Sequence, residues 1–350
     1  MGTEIKRKLA SIQRIEEVRD IENADAIQAY RVLGWWVVDK KDAHKVGDLA
    51  VYLSLDSWVP TELAAFLSKG QEPREYNGVR GERLRTVKLR GQISQGLLLP
   101  VDRVNDQPFI CGYFMEDGIG TMVMVEEGQD VTEALGVQKW EAPISPQLAG
   151  QVRGQFPTNL IPKTDQERIQ NCFEEIAAKD ATYEVTLKLD GTSCTIFRWE
   201  NELRVCSRNL ELKVNDENKD NTLVAMALKL GDKIKDGLAY QGEIMGPGIQ
   251  GNREGFTEHK FFVFDIFNIQ LHEYLTPDNR DWVTDFHELD HVPILGIDWK
   301  APNSVEEGLV LAEGASINHK IREGLVWKCN EDPAFSFKTI SNKFLLKGGE

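Results

Sequence analysis

The chain has 350 residues, and at roughly 150 residues per domain this length predicts two domains. Its composition, 41% hydrophobic and 28% charged, is typical of a globular protein and excludes a disordered or fibrous chain. No apolar run approaches the roughly 18 residues of a membrane helix, which excludes a membrane-spanning protein.

The cysteines form no CxxC pair, so we expect a reducing compartment such as the cytoplasm and neither a disulfide framework nor a zinc ribbon. They are Cys111, Cys172, Cys194, Cys206 and Cys329.

The net charge of −15 disfavours a nucleic-acid-binding protein, but the charge is unevenly distributed along the chain. Residues 270–313 contain ten acidic residues against two basic ones. Residues 80–103 contain six basic residues against two acidic ones, a local charge of +4. The six are Arg80, Arg83, Arg85, Lys88, Arg90 and Arg103. Such a basic stripe can bind phosphates, and it fits a solvated charged face equally well.

The first 145 residues are predicted to form a small β-barrel domain. Short strands with glycine turns are indicated at Tyr30–Val38, Leu49–Leu55 and Thr86–Leu99, with one short helix at Thr61–Ser68. A stretch rich in Pro, Gln and Gly follows, which predicts a linker over residues 146–163.

Residues 164–350 are predicted to form a mixed α/β domain. Thr164-Asp165-Gln166-Glu167 fits a capping box, and apolar residues recur at helical spacing from Ile169 to Ala177. Strands are predicted at Tyr183–Asp190, residues 192–198, residues 203–207 and Phe261–Phe267.

The most informative segment is Lys188-Leu189-Asp190-Gly191, at the end of a predicted strand. Strand alternation places the ammonium group of Lys188 and the carboxylate of Asp190 on one face, directly before a glycine turn. A lysine there can act as a nucleophile, but its ordinary pKa of about 10.4 leaves it protonated at neutral pH. It therefore needs nearby cations, a metal ion or burial to lose its proton. Taken alone, the four residues also fit a surface ion pair.

Five further motifs follow this segment in order, over about 150 residues in all. They are Ser207-Arg208-Asn209, Gly242-Glu243, the strand Phe261–Phe267, Arg322–Lys328 and Phe337–Lys343. In order and spacing the set resembles the covalent nucleotidyltransferases, which comprise ATP-dependent polynucleotide ligases and GTP-dependent capping enzymes.

Three segments narrow the resemblance to RNA ligases. Ile161–Asn171, before the lysine motif, and the Ser341-Asn342-Lys343-Phe344 ending are similar to those of RNA ligases. The amino-terminal segments, including Lys88–Gly96, resemble the OB module of the Deinococcus/Naegleria-type RNA ligases. Only seven residues follow Lys343, so we expect no carboxy-terminal OB domain of the kind found in capping enzymes and many DNA ligases.

The resemblance implies an α+β protein with an N-terminal OB-like β-barrel domain (1–145), a linker (146–163) and a nucleotidyltransferase domain (164–350). It implies an ATP-dependent RNA ligase that seals 3′-OH and 5′-phosphate ends, with nicked duplex RNA as the expected substrate. The intermediates would be a lysyl-AMP and a 5′-adenylylated RNA. We expect ATP and Mg²⁺ or Mn²⁺ as cofactors, no membrane partner and a monomer. A DNA-preferring ligase, a guanylyltransferase and a non-catalytic OB-type RNA-binding protein remain open.

The resemblance also implies roles for individual residues. Lys188 would be the nucleophile, and Lys338 would neutralise the phosphates. Asp190, Glu243 and Glu323 would hold the metal ion through water. The nucleotide would further contact Arg168, Gly191, Arg208, Phe262 (or Phe264), Lys320 and Lys328.

Simpler explanations exist for Phe262 and for the pair Thr164 and Glu167. Phe262 equally fits a core residue, and Thr164 with Glu167 fits a helix cap better than a catalytic role. Many ligases carry a Lys-x-Lys motif where this chain has Ser336-Phe337-Lys338, which leaves Lys338 with more of the phosphate-binding role.

Overall fold

The structure is a computed structural model that describes residues 8–101, 113–116, 119–122, 125–140 and 150–346. The described residues divide into two compact units, a first unit within residues 8–140 and a second unit within residues 150–346. The boundaries predicted for the two domains stay predictions, because residues 141–149 lie outside the described residues. Arg103 and Cys111 lie outside them as well. In the described part of the chain, no helix is long and apolar enough to cross a membrane.

In its described residues, the first unit consists of short antiparallel strands and one short helix. Its strands are β1 (Ala10–Arg14), β2 (Glu17–Asp20), β3 (Ile27–Val32), β4 (Trp35–Lys40), β5 (Leu49–Leu53), β6 (Ser57–Pro60), β7 (Arg74–Tyr76), β8 (Val79–Arg83), β9 (Val87–Leu89), β10 (Gln92–Ser94), β11 (Leu97–Pro100), β12 (Tyr113–Glu116), β13 (Ile119–Met122) and β14 (Gln138–Lys139). Helix α1 (Thr61–Ala64) continues as a 3-10 helix over Ala65–Ser68. The strands pair in the orders β1-β5-β11, β2-β3-β4, β9-β10, β12-β13 and β14-β6-β8-β7.

Two hairpins of this unit are explained by residues with positive φ. Leu33 and Gly34 have φ values of 50° and 74°, as the two-residue turn between β3 and β4 requires. Arg90 and Gly91 have φ values of 49° and 87° and connect β9 to β10 in the same way. The resulting β9–β10 hairpin is exposed from residue 87 to residue 91.

The second unit contains two larger sheets and most of the helices. Its strands are β15 (Val152–Gln155), β16 (Glu167–Arg168), β17 (Thr182–Lys188), β18 (Thr192–Trp199), β19 (Glu202–Cys206), β20 (Leu210–Leu212), β21 (Leu238–Met245), β22 (Lys260–Asn268), β23 (Glu273–Tyr274), β24 (Ile294–Lys300), β25 (Gly324–Cys329) and β26 (Ser336–Ile340). Its helices are α2 (Ile169–Ala177), α3 (Thr222–Leu230), α4 (Pro277–Phe286), α5 (Val305–Leu311) and α6 (Asn342–Leu346). One sheet has the order β15-β20-β19-β18-β21-β22-β23, and the other has the order β16-β26-β25-β17-β24.

Alternation along β17 separates a core face from a polar face. Tyr183, Val185 and Leu187 are buried in one hydrophobic cluster with residues of β25 and β26. In that cluster the rings of Trp327 and Phe337 stack with centroids 5.5 Å apart. Residues 184, 186 and 188 therefore point to the opposite face of the sheet, where the chemistry-bearing side chains gather.

Part of the segment predicted as a linker is a strand instead. β15 pairs antiparallel with β20, and nearby Phe156 and Ile161 are 5% and 0% exposed. Because residues from 152 onward add an edge strand and core side chains to the second unit, this part is not a free linker. The first part, residues 146–149, lies outside the described residues.

The capping box predicted at residues 164–167 is wrong. Helix α2 begins at Ile169, and its N-cap residue, Arg168, makes no side-chain capping hydrogen bond. Glu167 and Arg168 instead form β16 and pair in parallel with Phe337 and Lys338. Sheet pairing thus overrides the local helix signal, and it places Arg168 beside Lys338. The periodic residues 169–177 do form the predicted helix.

Candidate active site

Lys188 is the last residue of β17, which lies between β25 and β24 in the five-stranded sheet. It pairs in register with Gly324, the first residue of β25. A Cβ atom at Gly324 would lie 2.1 Å from the carbonyl oxygen of Thr339, so this close approach of β25 to β26 requires glycine. The pairing brings Glu323, directly before Gly324, to Lys188. The Nζ atom of Lys188 lies 2.6 Å from Oε1 of Glu323.

Glu243 and Asp190 complete a group of three carboxylates around the lysine. Oε1 of Glu243, on β21, accepts a hydrogen bond of 3.1 Å from the backbone N–H of Gly191. A Cβ atom at Gly191 would lie 2.4 Å from the carbonyl oxygen of Ile244, which explains the glycine after Asp190. Oδ2 of Asp190 lies 3.6 Å from Nη1 of Arg253.

Burial and mutual repulsion raise the pKa values of these carboxyl groups. Burial raises the pKa of Glu243 to about 7, with the charge of Lys188 opposing and that of Glu323 adding to the shift. Burial likewise raises the pKa values of Glu323 and Asp190. Burial lowers the pKa of Lys188, but the charges of Glu323 and Glu243 outweigh it, so the net shift is upward. The resting lysine is therefore an ammonium group.

The carboxylates fit a cation held through water better than one bound directly. Oε2 of Glu323 is buried and has no hydrogen-bond partner among the described residues, which leaves an anionic acceptor open. In the described residues, however, no three His, Cys, Asp or Glu side chains are grouped closely enough to ligate a metal ion directly. Small hard cations favour carboxylate oxygens and commonly retain several waters, so the residues fit Mg²⁺ or Mn²⁺ in a hydrated form.

Lys338 and Arg168 lie on the same face of the sheet as Lys188. Lys338 pairs with Val326 on β25 and with Arg168 on β16. Burial lowers the pKa of Lys338 to about 8, and the positive charges of Lys188 and Arg168 add to the shift. Several cations thus converge here against their own repulsion, as a site for an anionic ligand requires.

Lys328, which was predicted to contact the nucleotide, lies in a buried ion pair instead. It is 4% exposed, and its Nζ atom donates to the carbonyl oxygen of Phe264 and to the carboxylate of Asp265. Next to it, Glu184 forms a second buried ion pair with Arg280. Because both Lys328 and its partner are enclosed, this geometry does not support a phosphate contact by Lys328.

The other residues predicted to contact the nucleotide differ in burial and in their contacts. Phe262 is 8% exposed and packs in the core, although its register partner is Glu243. Arg208 is 63% exposed and lies 2.7 Å from Asp165. Lys320 is exposed and does not line the pocket around Lys188. Their nucleotide roles stay predictions.

The pocket around Lys188 contains residues that the motif analysis missed. It is lined by Lys188, Asp190, Met245, Arg253, Glu254, Ser316, Ile321, Glu323 and Phe344. Arg253 and Glu254 follow a 3-10 helix at Gln250–Asn252, in an irregular loop without strand or helix periodicity. Nothing local in the sequence marks them, because only the tertiary fold brings this loop to Asp190.

Comparisons with known proteins match both units. Residues 9–101 match a family model described as an OB-fold domain, and residues 181–344 match the RNA ligase family model. Solved structures of Naegleria gruberi RNA ligase variants are similar over almost the whole chain. An apo variant has 39% identity and a TM-score of 0.74 over 98% of both chains. The chain belongs to the RNA ligase family.

Further structures of the Naegleria gruberi RNA ligase contain ligands. A variant with ATP and manganese has 39% identity and a TM-score of 0.74, with 97% of this chain and 99% of that chain covered. A variant with AMP and manganese has 39% identity and a TM-score of 0.75 over the same shares. No curated protein matches the chain.

The assignment confirms two predictions made from the motifs. An OB-fold region precedes the ligase region, and the enzyme is an RNA ligase. The predicted ATP and divalent metal ion agree with the ligands of the Naegleria gruberi structures. The pocket around Lys188 lies within the part of this RNA ligase that the ligase family model matches.

Proposed function

We propose that this RNA ligase uses ATP to join a 3′-OH end to a 5′-phosphate end of RNA, with Lys188 as the nucleophile. The observation that supports this most is the environment of its ammonium group, 2.6 Å from Glu323 at the end of β17. Asp190 and Glu243 lie beside it, and Lys338 and Arg168 occupy the same face of the sheet. A lysine among carboxylates, next to cations, is suited to nucleotidyl transfer rather than to simple RNA binding.

In the first step, Nζ of Lys188 would attack the α-phosphorus of ATP. Nζ first loses its ammonium proton to solvent, an N–P bond forms with loss of a second Nζ proton to solvent, the bond from the α-phosphorus to the bridging oxygen breaks, and pyrophosphate leaves. Asp190, Glu243 and Glu323 would hold a divalent cation through water, which supplies positive charge that favours loss of the lysine proton. Lys338 and Arg168 would bind phosphate oxygens and offset the charge that develops on the leaving group.

In the next steps, the adenylyl group would pass to RNA. A 5′-phosphate oxygen attacks the α-phosphorus of lysyl-AMP, a P–O bond forms, and the N–P bond breaks with return of a proton to Lys188. The 3′-OH oxygen then attacks the 5′-phosphorus, AMP leaves, and a phosphodiester bond joins the strands. The lysine is not a nucleophile in this last step.

The first unit would bind the polynucleotide, and we propose nicked duplex RNA as the preferred substrate and a monomer as the active form. Arg85, Lys88 and Arg90 of the basic stripe are exposed and have no ion-pair partner among the described residues. Two other stripe residues are paired, Arg80 with Glu72 and Arg83 with Asp56. The free cations lie at and next to the β9–β10 hairpin, which can approach a phosphate backbone.

Labelling with nucleotide tests this function. Wild-type protein is incubated with α-labelled ATP or GTP and Mn²⁺, with Lys188→Ala as the control. We expect a covalent label from ATP alone and none in the variant. A label from GTP would support a guanylyltransferase, and no label at all would support a binding protein.

Sealing assays then test the substrate. Nicked RNA duplexes with 3′-OH and 5′-phosphate ends are compared with open RNA ends and with nicked DNA of the same sequence. We expect the nicked RNA to be sealed fastest, and faster sealing of the DNA would contradict the RNA preference.

A further inference from the structure

Arg253 lies inside the active-site pocket but belongs to none of the ligase motifs. Its guanidinium carbon lies 4.5 Å from the ring centroid of Phe344, and its Nη1 atom lies 3.6 Å from Oδ2 of Asp190. The side chain is 25% exposed, so it is partly enclosed while still open to the pocket.

The backbone of Arg253 is fixed by the loop that carries it. Residues 246–255 contain six positive φ values, which fold this segment into a series of tight turns. The side chain of Asn252 accepts a hydrogen bond from the N–H of Phe256 and donates one to its carbonyl oxygen. The carboxylate of Glu254 accepts a hydrogen bond of 2.5 Å from the N–H of Asn318. The loop therefore holds the arginine at the pocket rather than leaving it in solvent.

Phe344 is placed by the Ser-Asn-Lys-Phe ending, a motif that the proposed reaction steps leave without a role. The hydroxyl of Ser341 accepts a hydrogen bond of 3.1 Å from the N–H of Phe344, at the start of α6. The N–H of Ser341 donates to the carbonyl oxygen of Glu323 at 2.8 Å. This motif therefore ties the ring, which is 3% exposed, to the backbone of a residue that contacts Lys188.

The donors of Arg253 are not used up by its neighbours. Asp190 is the one carboxylate within ion-pair distance of it among the described residues, and 3.6 Å exceeds an ordinary N–H···O hydrogen bond. A ring that covers one face of a guanidinium leaves the N–H edge free, and this edge matches phosphate oxygens in a bidentate way. Lys338 and Arg168 lie on the sheet face, whereas Arg253 lies beyond the end of β17, next to Asp190.

We propose that Arg253, supported by Phe344, is a further phosphate-binding residue of this site. Its ion pair with Asp190 is the resting arrangement, and the guanidinium would exchange this contact for phosphate oxygens when the substrate binds. The phosphate belongs either to the polyphosphate of ATP or to the RNA end. The inference rests on the proposed function, since it requires a nucleotidyl-transfer reaction at Lys188.

The test compares full-length Arg253→Ala, Arg253→Lys and Phe344→Leu with the wild type in two assays. The first measures lysine adenylylation against ATP concentration, and the second measures sealing of a pre-adenylylated nicked RNA without ATP, against RNA concentration. Arg153→Ala is the control, because Arg153 is also partly exposed and ion-paired, with Glu202, but lies on the edge strand β15.

We expect Arg253→Ala to raise the KM by about 10- to 100-fold in one assay, as for the loss of charged hydrogen bonds. A rise in the first assay identifies the ATP polyphosphate, and a rise in the second identifies the RNA phosphate. Arg253→Lys should recover part of the loss. Phe344→Leu, which keeps apolar packing, should raise the same KM by about two- to fivefold.

Two outcomes would overturn the inference. One is a KM for Arg253→Ala within twofold of the wild type in both assays. The other is a lower kcat with unchanged KM values, which would mean that Arg253 only positions Asp190. A wild-type protein that forms no lysyl-AMP would instead refute the proposed function itself, so the two failures are distinguishable.

Discussion

The ammonium group of Lys188 and the carboxylate of Glu323 are 2.6 Å apart because Lys188 and Gly324 are register partners on β17 and β25. In the resting enzyme this pair holds the lysine in its protonated form, and its pKa is raised rather than lowered. The proposed nucleophile is thus positioned but still protonated. We expect Lys188 to lose its proton only when added positive charge offsets the carboxylates, which would couple its activation to binding of a divalent cation.

Lys188→Ala and Lys188→Arg should both abolish covalent AMP. Arginine keeps its proton at any working pH and cannot attack phosphorus. Labelling with α-labelled ATP measures this directly. Both variants should still seal pre-adenylylated RNA at a reduced rate, because the last step does not use the lysine as a nucleophile. Wild-type labelling of Lys188→Ala would refute the assignment.

Glu323→Gln should lose most lysine adenylylation while remaining folded. The change keeps the shape of the side chain but removes the charge beside Lys188 and the open acceptor Oε2. Labelling at several Mg²⁺ concentrations and a thermal melt measure activity and fold separately. Glu243→Gln should behave in the same way. Normal labelling of Glu323→Gln at low Mg²⁺ would exclude a metal-binding role for this residue.

Adenylylation should weaken at alkaline pH because Lys338 loses its charge. Its pKa is about 8, so the kcat/KM for ATP should fall as the pH rises through that value. Lys338→Arg, which stays charged, should lack this fall. Deprotonation of Lys338 would not itself unfold the protein. An unfolded lysine has a pKa near 10.5, so between about pH 8 and 10.5 unfolding takes up a proton, and this group makes the fold more stable as the pH rises.

Lys328→Ala should unfold the second unit more easily, by about 3–5 kcal/mol, because it leaves Asp265 as a buried unpaired charge. Chemical denaturation measures this loss. The double variant Lys328→Met/Asp265→Leu removes both charges and should recover most of the stability. If the double variant is folded but its KM for ATP is strongly raised, Lys328 contacts phosphate after all.

Lys88→Ala/Arg90→Ala should weaken sealing but leave adenylylation unchanged. Both residues lie on the exposed β9–β10 hairpin, outside the unit that contains Lys188. Each lost phosphate contact should lower the salt dependence of RNA binding, with the log–log slope decreasing by about one per contact. The control is Lys40→Ala/Lys45→Ala, which removes the same charge from exposed residues of the same unit. Equal RNA binding by both double variants would contradict a role for the hairpin.

The sequence by itself determined the features that depend on neighbours along the chain. Alternation in residues 183–190 is enough to place Lys188 on the polar face of a strand, since the side-chain period of a strand is two. The strands predicted at residues 192–198 and 203–207 form β18 and β19, which are joined by a turn whose residues Glu200 and Asn201 have positive φ. The ordered motifs were also sufficient to identify the family, because each motif is a short continuous segment that can be recognised from the sequence alone.

Only the tertiary structure decided the features that depend on pairing between distant segments. Lys328 and Lys338 are both strand lysines within ligase motifs, but Lys328 forms an ion pair with Asp265 of the other sheet, whereas strand register places Lys338 beside Arg168. Residues 164–167 match a helix-cap pattern in the sequence, but in the structure residues 167 and 168 form β16 and pair with β26. Arg253 lies in an irregular loop that only the tertiary fold places beside Asp190. No local pattern encodes such contacts, because their free energy comes from burial and charge in the assembled fold.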